Sequence, residues 1–203
     1  MRMMEKYSVD KGNEIFFMDT LVQREVFNLL ERVGKKMKVQ NNDYDSFFAG
    51  LSGASKSCLQ KINGDTFKRC KYLIFPINSR VHWFLLVFHA KEGIFKMWNS
   101  LPDSFILRAC RNLASFLVGW VRHNSNFVIS DYNVLRERTR HQGVSLDCGV
   151  FACIWVDCLA RDSAEMWEYQ NTVKIDTYRA RLAASILSHE RGLLKNNFDQ
   201  LSL

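Results

Sequence analysis

Residues 71–99 read KYLIFPINSRVHWFLLVFHAKEGIFKMWN, and this stretch decides the fold. It holds three runs rich in Phe, Ile, Leu, Val and Trp, at Lys71–Ile77, His82–Ala90 and Gly93–Asn99. Short polar segments separate the runs, and such an alternation of apolar runs with turn residues is typical of strands joined by tight turns. The stretch therefore predicts a meander of three antiparallel strands.

Outside the meander, apolar residues recur at three- and four-residue spacing, which indicates helices. We predict helices and one further strand at the following places: helices at Asp19–Val33, Pro102–Arg122, Gly149–Ala160 and Ile175–Ser188, and a strand at Phe127–Val134. Residues Lys38–Asp65 are rich in Asn, Asp, Ser and Gly, so we expect a loop there that holds a short helix around Ser57–Ile62. Together these elements predict an α+β fold in which a small sheet, mixed or antiparallel, is flanked by helices.

Length and composition predict one globular domain. The chain has 203 residues, 47% of them hydrophobic and only two of them proline, so residues 1–203 are expected to fold as one domain with a substantial core. No apolar run approaches the ~20 residues of a membrane-spanning helix, and the segment from Met1 lacks the apolar stretch of a secretory signal. We therefore expect an intracellular protein of the cytoplasm or nucleus, whether made by a cell, encoded by a virus or delivered into a host cell as an effector.

The cysteines and the charge exclude several other classes of protein. Six cysteines in 203 residues are too few for a disulfide scaffold and show no zinc-finger spacing, so we expect reduced thiols and no metal site. The net charge of +7 is moderate, and basic residues cluster only at 35–38 and 136–140. Solvated basic faces explain this pattern, and nucleic-acid binding is not signalled.

Four residues, in the order His82, Asn99, Gln142 and Cys148, offer a base, its orienter, an oxyanion donor and a nucleophile. Cys148 comes at the first turn of a predicted helix, where unpaired N–H groups and the helix dipole stabilise a thiolate. His82 begins one predicted strand and Asn99 ends the next, so their hairpin places both side chains at one edge of the sheet. Gln142 is close enough in sequence to direct its amide at the oxyanion, beside the Cys148 backbone N–H. The pattern predicts nucleophilic catalysis by a thiol.

Residues around this constellation have simpler interpretations. Gly149 has no side chain, and we expect it to let a substrate carbonyl approach the sulfur. Cys153 and Cys158 lie within the predicted helix and are expected to be core residues. Asp103 is the alternative to Asn99 as third catalytic residue, although it lies past Pro102 and so beyond the predicted strand.

Three segments carry a resemblance to a known family: FPINSRVHWFLLVF at 75–88, IFKMWNSL at 94–101 and QGVSLDCGVF at 142–151. In this order they resemble the ubiquitin-like-protein-specific cysteine proteases, the deSUMOylating and deneddylating enzymes related to the adenoviral protease. The resemblance spans Tyr72–Leu159 and implies a papain-like α+β fold. It assigns the catalytic histidine to His82, the oxyanion glutamine to Gln142 and the nucleophile to Cys148.

Two positions depart from the pattern of that family. The family usually has Asp where this chain has Asn99, and we expect the loss of charge to weaken the site without destroying it, so that Asn99→Asp preserves or raises activity. The opening Trp-Leu-Asn-Asp run of the family corresponds best to FFMD at 16–19, in which Phe16 replaces a tryptophan that helps to enclose the substrate's Gly-Gly tail. Trp83 is expected to pack against the same tail.

The resemblance implies an isopeptidase or endopeptidase that cuts after the C-terminal Gly-Gly of a ubiquitin-like modifier (SUMO, NEDD8 or ubiquitin), through an acyl-enzyme thioester and without a cofactor. One alternative is an effector acetyltransferase that shares the order of catalytic residues, although His82-Trp83 and the DCGVF string at 147–151 look like the protease branch. The other alternative is a modifier-binding module derived from a protease, with Asn99 as the first sign of lost activity. The retention of Cys148, His82 and Gln142 argues against that module.

Overall fold

The computed structural model describes residues 15–18, 20–33, 41–79, 81–101, 104–126, 129, 132–143, 145–161 and 164–188. Its centre is a five-stranded sheet in chain order, formed by β1 (Ile15–Phe17), β2 (Tyr72–Ser79), β3 (His82–His89), β4 (Ile94–Trp98) and β5 (Val134–Arg136). The pairs β2–β3 and β3–β4 are antiparallel, which confirms the predicted meander. β1 and β5 pair in parallel with β2 and β4. The sheet is therefore mixed, with one parallel strand at each edge.

Helices pack on both faces of this sheet. They are α1 (Thr20–Val33), α2 (Asn41–Gly50), α3 (Gly53–Gln60), α4 (Gly64–Arg69), α5 (Ser104–Asn124), α6 (Cys148–Arg161), α7 (Ala164–Thr172) and α8 (Ile175–Ser188). On β3, Phe84 and Leu86 join the core that includes residues of α1 and α5, whereas Leu85 and Val87 join the core that includes residues of α6. Successive strand residues face opposite sides, so a strand buried on both faces needs a continuous apolar run. This arrangement confirms the predicted α+β fold.

The segment from 41 to 69 forms three short helices where a loop with one short helix around Ser57–Ile62 was expected. α3 overlaps that predicted helix, whereas α2 and α4 were not predicted. Ser52 and Asn63, which indicated a loop, are the N-caps of α3 and α4, and their side chains accept hydrogen bonds from the backbone N–H groups of Ser55 and Thr66. Polar residues of this kind favour helix starts as much as turns.

Of the strand predicted at Phe127–Val134, residues 127, 128, 130 and 131 lie outside the described residues. β5 begins at Val134, and its alignment with β4 starts where Phe95 N donates to Asn133 O at 2.9 Å. β1 and α7 were not predicted, whereas the four predicted helices correspond to α1, α5, α6 and α8. Among the helices that the structure describes, none is long and apolar enough to cross a membrane.

Candidate active site

Cys148 is the first residue of α6 and is 7% exposed. The carbonyl oxygen of Asp147 accepts a hydrogen bond from Phe151 N at 2.9 Å, so Asp147 is the N-cap of the helix. The thiol is therefore at the helix end where N–H groups lack intrahelical partners and the dipole is positive, as predicted. Cys148 Sγ lies 3.9 Å from Val81 O, which brings it to the start of β3, next to His82 in sequence.

His82 and Asn99 form the predicted hydrogen bond, with Nε2 and Oδ1 2.7 Å apart. Because an amide oxygen can only accept, Nε2 carries the proton in this bond and Nδ1 is the nitrogen left to accept one. Leu85 pairs with Trp98 in the β3–β4 register, so His82 and Asn99 are diagonal neighbours across the hairpin rather than direct partners. Asp103, the alternative third residue, lies outside the described residues.

The amide of Asn99 is fully buried and is held in one orientation. Oδ1 also accepts from Leu101 N at 3.1 Å, while Nδ2 donates to Leu101 O at 2.6 Å. Thr139 Oγ1 donates to the backbone oxygen of Asn99 at 2.6 Å. An aspartate would have no proton to offer Leu101 O, so these contacts suit an asparagine and add a cost to Asn99→Asp that the sequence did not show.

Gln142 lies against Ser100, the residue that follows Asn99. Gln142 N donates to Ser100 O at 3.2 Å, and Ser100 Oγ donates to Gln142 Oε1 at 2.5 Å. Gln142 Nε2 donates to Ser145 O at 2.7 Å. An amide nitrogen carries two protons, so one N–H remains for an oxyanion. Ser100 thus joins the candidate orienter to the candidate oxyanion donor, a contact that was not predicted from the sequence although Ser100 lies within the quoted IFKMWNSL segment.

Trp83 and Gly149 face each other across the first turn of α6. Trp83 is partly buried against the core on the α6 side of the sheet. A Cβ built on Gly149 would lie 3.6 Å from Trp83 Cδ1, which is an ordinary van der Waals contact. From the sequence, Gly149 is expected to let a substrate carbonyl approach the sulfur. In the structure, the missing side chain leaves a space between the first turn of α6 and the indole of Trp83.

A profile of the Ulp1 protease family, C-terminal catalytic domain, matches residues 2–191 of the chain. The chain belongs to the Ulp1 protease family. The catalytic domain of this family is that of a cysteine protease, and the match favours the protease interpretation over the acetyltransferase. No curated protein matches the chain at a significant level.

Solved structures similar to this Ulp1-family chain share its fold at low sequence identity. A SUMO protease Ulp1 whose catalytic cysteine is oxidised to a sulfenic acid superposes with a TM-score of 0.60 at 15% identity, covering 91% of this chain and 73% of its own. A de-sumoylating protease gives 0.57 at 14% identity over 97% and 76% of the two chains. The Ulp1 protease domain in complex with Smt3, the yeast orthologue of SUMO, gives 0.54 at 14% identity over 79% and 63%.

Phe16 is not brought to the Ulp1-family site, which corrects the placement that the resemblance implied. Phe16 pairs with Leu73 of β2, and Leu73 pairs with Phe88, six residues along β3 from His82. Six residues at about 3.4 Å each are ~20 Å of strand. Phe16 also packs against the core that includes α1 and α5, whereas Trp83 packs against the opposite core. The position of Phe16 is determined by the register of β1 against β2, which a short sequence motif does not reveal.

Two residues beside the candidate nucleophile of this Ulp1-family chain are almost fully exposed although they are apolar. Val81 is 92% exposed and has a φ of 64°, in the left-handed region that β-branched residues rarely adopt. Leu146, two residues before Cys148, is 94% exposed. The unusual backbone at Val81 lies where its carbonyl oxygen meets the thiol, as strain at functional sites often does.

The other thiols of the Ulp1-family chain lie in less reactive surroundings. Burial raises the pKa of the Cys153 thiol, and burial together with the charge of Asp157 raises the pKa of Cys158 to about 12. A thiol with a raised pKa is a poor nucleophile. Cys158 is a buried core residue as predicted, whereas Cys153 is only partly buried and packs against that core. All six cysteines are free thiols, and the described part of the chain holds no group of three His, Cys, Asp or Glu side chains suited to a metal.

Proposed function

We propose that residues 1–203 form one catalytic domain that cleaves the bond after the C-terminal Gly-Gly of a ubiquitin-like modifier, as an isopeptidase or endopeptidase. The observation that carries the proposal is the convergence of a thiol, an oriented imidazole and a fixed amide at one end of β3. The imidazole is oriented by the 2.7 Å hydrogen bond from His82 to Asn99. Cys148 Sγ lies 3.9 Å from the carbonyl oxygen of Val81, the residue before His82.

The first half of the reaction forms a thioester. His82 Nδ1 takes the thiol proton, and the Cys148 thiolate attacks the carbonyl carbon of the last glycine. The oxyanion receives the second Nε2 proton of Gln142 and the backbone N–H of Cys148. The imidazolium then gives its proton to the leaving amine, so the C–N bond breaks as the C–S bond is retained.

Hydrolysis of the thioester completes the cycle. His82 takes a proton from water, and the hydroxide attacks the thioester carbonyl at the same oxyanion site. The C–S bond then breaks, the thiolate leaves, and the imidazolium returns the proton to the sulfur. Asn99 Oδ1 keeps the Nε2–H tautomer in place throughout, because it accepts from that nitrogen in both protonation states.

The contact between Trp83 and Gly149 supports selection for glycine. The indole lies so close to the first turn of α6 that a single methyl group on Gly149 would touch it. A substrate tail that runs along the indole beside Cys148 therefore has little room for side chains. We assign Trp83 to this tail and leave Phe16 out of the substrate site.

SUMO is the modifier proposed first. One similar solved structure is the Ulp1 protease domain in complex with Smt3, the yeast orthologue of SUMO. The fold that this chain shares with that domain supports a modifier of the same type, with NEDD8 and ubiquitin as alternatives. We place the reaction inside a cell, in the cytoplasm or nucleus, where a catalytic thiol stays reduced.

The test uses SUMO, NEDD8 and ubiquitin that carry a C-terminal electrophile in place of the scissile bond. We expect one of the three to label the protein at Cys148, read by peptide mass spectrometry, and to lose its label in Cys148→Ala. Hydrolysis of the matching Lys-linked conjugate is then measured with both proteins. Binding of a modifier without labelling or hydrolysis would support the binding module and overturn the proposal.

A further inference from the structure

The carboxylate next to the candidate nucleophile is held by a residue from a distant helix. Asp147 is 8% exposed and directly precedes Cys148. Arg179, 32 residues further along the chain in α8, donates from Nη2 to Asp147 Oδ1. The pair therefore joins the start of the nucleophile helix to the last described helix.

The charge of Asp147 bears on the neighbouring thiol. A carboxylate one residue from a thiolate repels it, and partial burial weakens the screening by water. The guanidinium of Arg179 supplies the opposite charge on the carboxylate itself. The N-cap thus presents to Cys148 a neutralised pair rather than a lone negative charge.

We infer that Arg179 is a positioning residue that acts through Asp147, and that it keeps Cys148 reactive by neutralising the carboxylate beside it. The inference rests on the proposed function, because it takes Cys148 as the nucleophile. The ion pairs of Arg179 go to Asp147 and Asp176 and not to Cys148, so its effect reaches the sulfur through the charge and placement of Asp147.

Three other charged or titratable groups belong to residues around the pair and the thiol, and one of them, Asp176, shares Arg179 with Asp147. Asp176 Oδ1 lies 3.6 Å from Arg179 Nη1, and Asp176 is almost fully exposed, so water screens its charge. Arg140 donates to Val173 O at 2.8 Å and stacks over the Phe151 ring. On the far side of the thiol, the titratable neighbour is His82. These groups are the same in every variant below.

The experiment follows alkylation of Cys148 by iodoacetamide in the full chain from about pH 5 to about pH 9, the range in which thiols and imidazoles exchange protons. Peptide mass spectrometry separates Cys148 from the other cysteines, and thermal melting confirms that each variant folds. The variants are Arg179→Gln, Arg179→Lys and the double change Asp147→Asn with Arg179→Gln. The matched control is Arg181→Gln, because Arg181 is on the same helix but lines a cavity beside β1.

We expect Arg179→Gln to slow Cys148 alkylation at neutral pH about three- to tenfold and to move the midpoint of the profile to higher pH, since the carboxylate is left without its partner. Arg179→Lys restores most of the rate because it restores the charge. The double change also restores it, because no charge then needs a partner. Arg181→Gln leaves the profile unchanged.

Two results would overturn the inference. One is a folded Arg179→Gln protein whose profile matches the wild type, and the other is a double variant as slow as Arg179→Gln, which would show that the tether matters and the charge does not. The readout needs no modifier, so it is independent of the proposed function. Altered alkylation in a protein that no modifier probe labels would support the inference and reject the proposed function.

Discussion

Asn99→Asp separates the stability of the site from its chemistry. In the structure Asn99 Nδ2 donates to Leu101 O at 2.6 Å, while Oδ1 receives His82 Nε2 at 2.7 Å. The substitution replaces the donor by an acceptor, so two oxygens without a proton would face each other beside the fully buried Asn99 position, although Leu101 O also accepts from Arg136 Nη2 at 3.3 Å. As a compensating effect, the same change gives the His82 imidazole a charged partner, and a negative charge favours the protonated form of an imidazole.

The cost of the lost donor sets the size of the effect. Removing one donor from such a site costs about 1–3 kcal/mol, and the remaining contact from Arg136 to Leu101 O favours the lower end of that range. For a chain of this length each kcal/mol changes Tm by about 2–4 °C, so we expect Tm to fall by roughly 2–12 °C. The attraction between Asp and imidazolium offsets this loss only while the ring is protonated.

The catalytic activity of Asn99→Asp is expected to be preserved or to rise although its stability falls. The aspartate favours the thiolate–imidazolium pair, so kcat/KM of the folded protein is preserved or raised, whereas Asn99→Ala lowers it about ten- to a thousandfold because it removes the orienter. Melting curves and kcat/KM at several pH values are measured for both variants, with the exposed Asn133→Asp as the matched control. An Asn99→Asp protein as stable as the wild type would refute the reasoning about Leu101.

Three further substitutions test the site. Cys148→Ala should abolish probe labelling and cleavage with little change in Tm, and more than about a hundredth of the wild-type rate would mean that the nucleophile is misassigned. Gly149→Ala should fold with unchanged or higher Tm, because its methyl group would meet Trp83 Cδ1 at 3.6 Å, yet it should lower kcat/KM for a Gly-Gly substrate; unaltered turnover would return Trp83 to a purely structural role. Ser100→Ala should lower kcat about tenfold with KM nearly unchanged, since Gln142 loses the donor that fixes its amide, and a change confined to KM would place Gln142 in substrate binding instead.

The parts of the fold that the sequence predicts are those with a local signal. The meander and the longer helices each show a period within their own residues, and their bounds agree with the structure within a few residues. β1 and β5 have three residues each, too few for a period, and they pair in parallel with strands from other parts of the chain. In the segment 41–69, burial of Phe47 and Leu59 in the core decides for helices, and that contact is not visible locally.

The candidate site likewise contains residues that the sequence predicts and residues whose role depends on contacts in the folded chain. His82, Asn99, Gln142 and Cys148 could be selected from the sequence because each has a residue type and a position that suit one chemical role. The role of Ser100 depends on a contact with a residue 42 positions away, which only the folded chain creates. The predicted position of Phe16 was wrong for a related reason. The register of a short parallel strand determines which end of the sheet Phe16 lies at.

The meander also determines when the site is assembled as the chain folds. His82 and Asn99 are 17 residues apart in a hairpin, and closing so short a loop is fast and costs little chain entropy. Cys148 follows α5 and β5 along the chain and begins α6. The base and its orienter can therefore meet through local contacts, whereas the thiol reaches Val81 only when the second half of the chain packs against the first. Proteolytic competence thus depends on contacts between distant parts of the chain, and a chain in which only the hairpin has formed carries a base with no nucleophile.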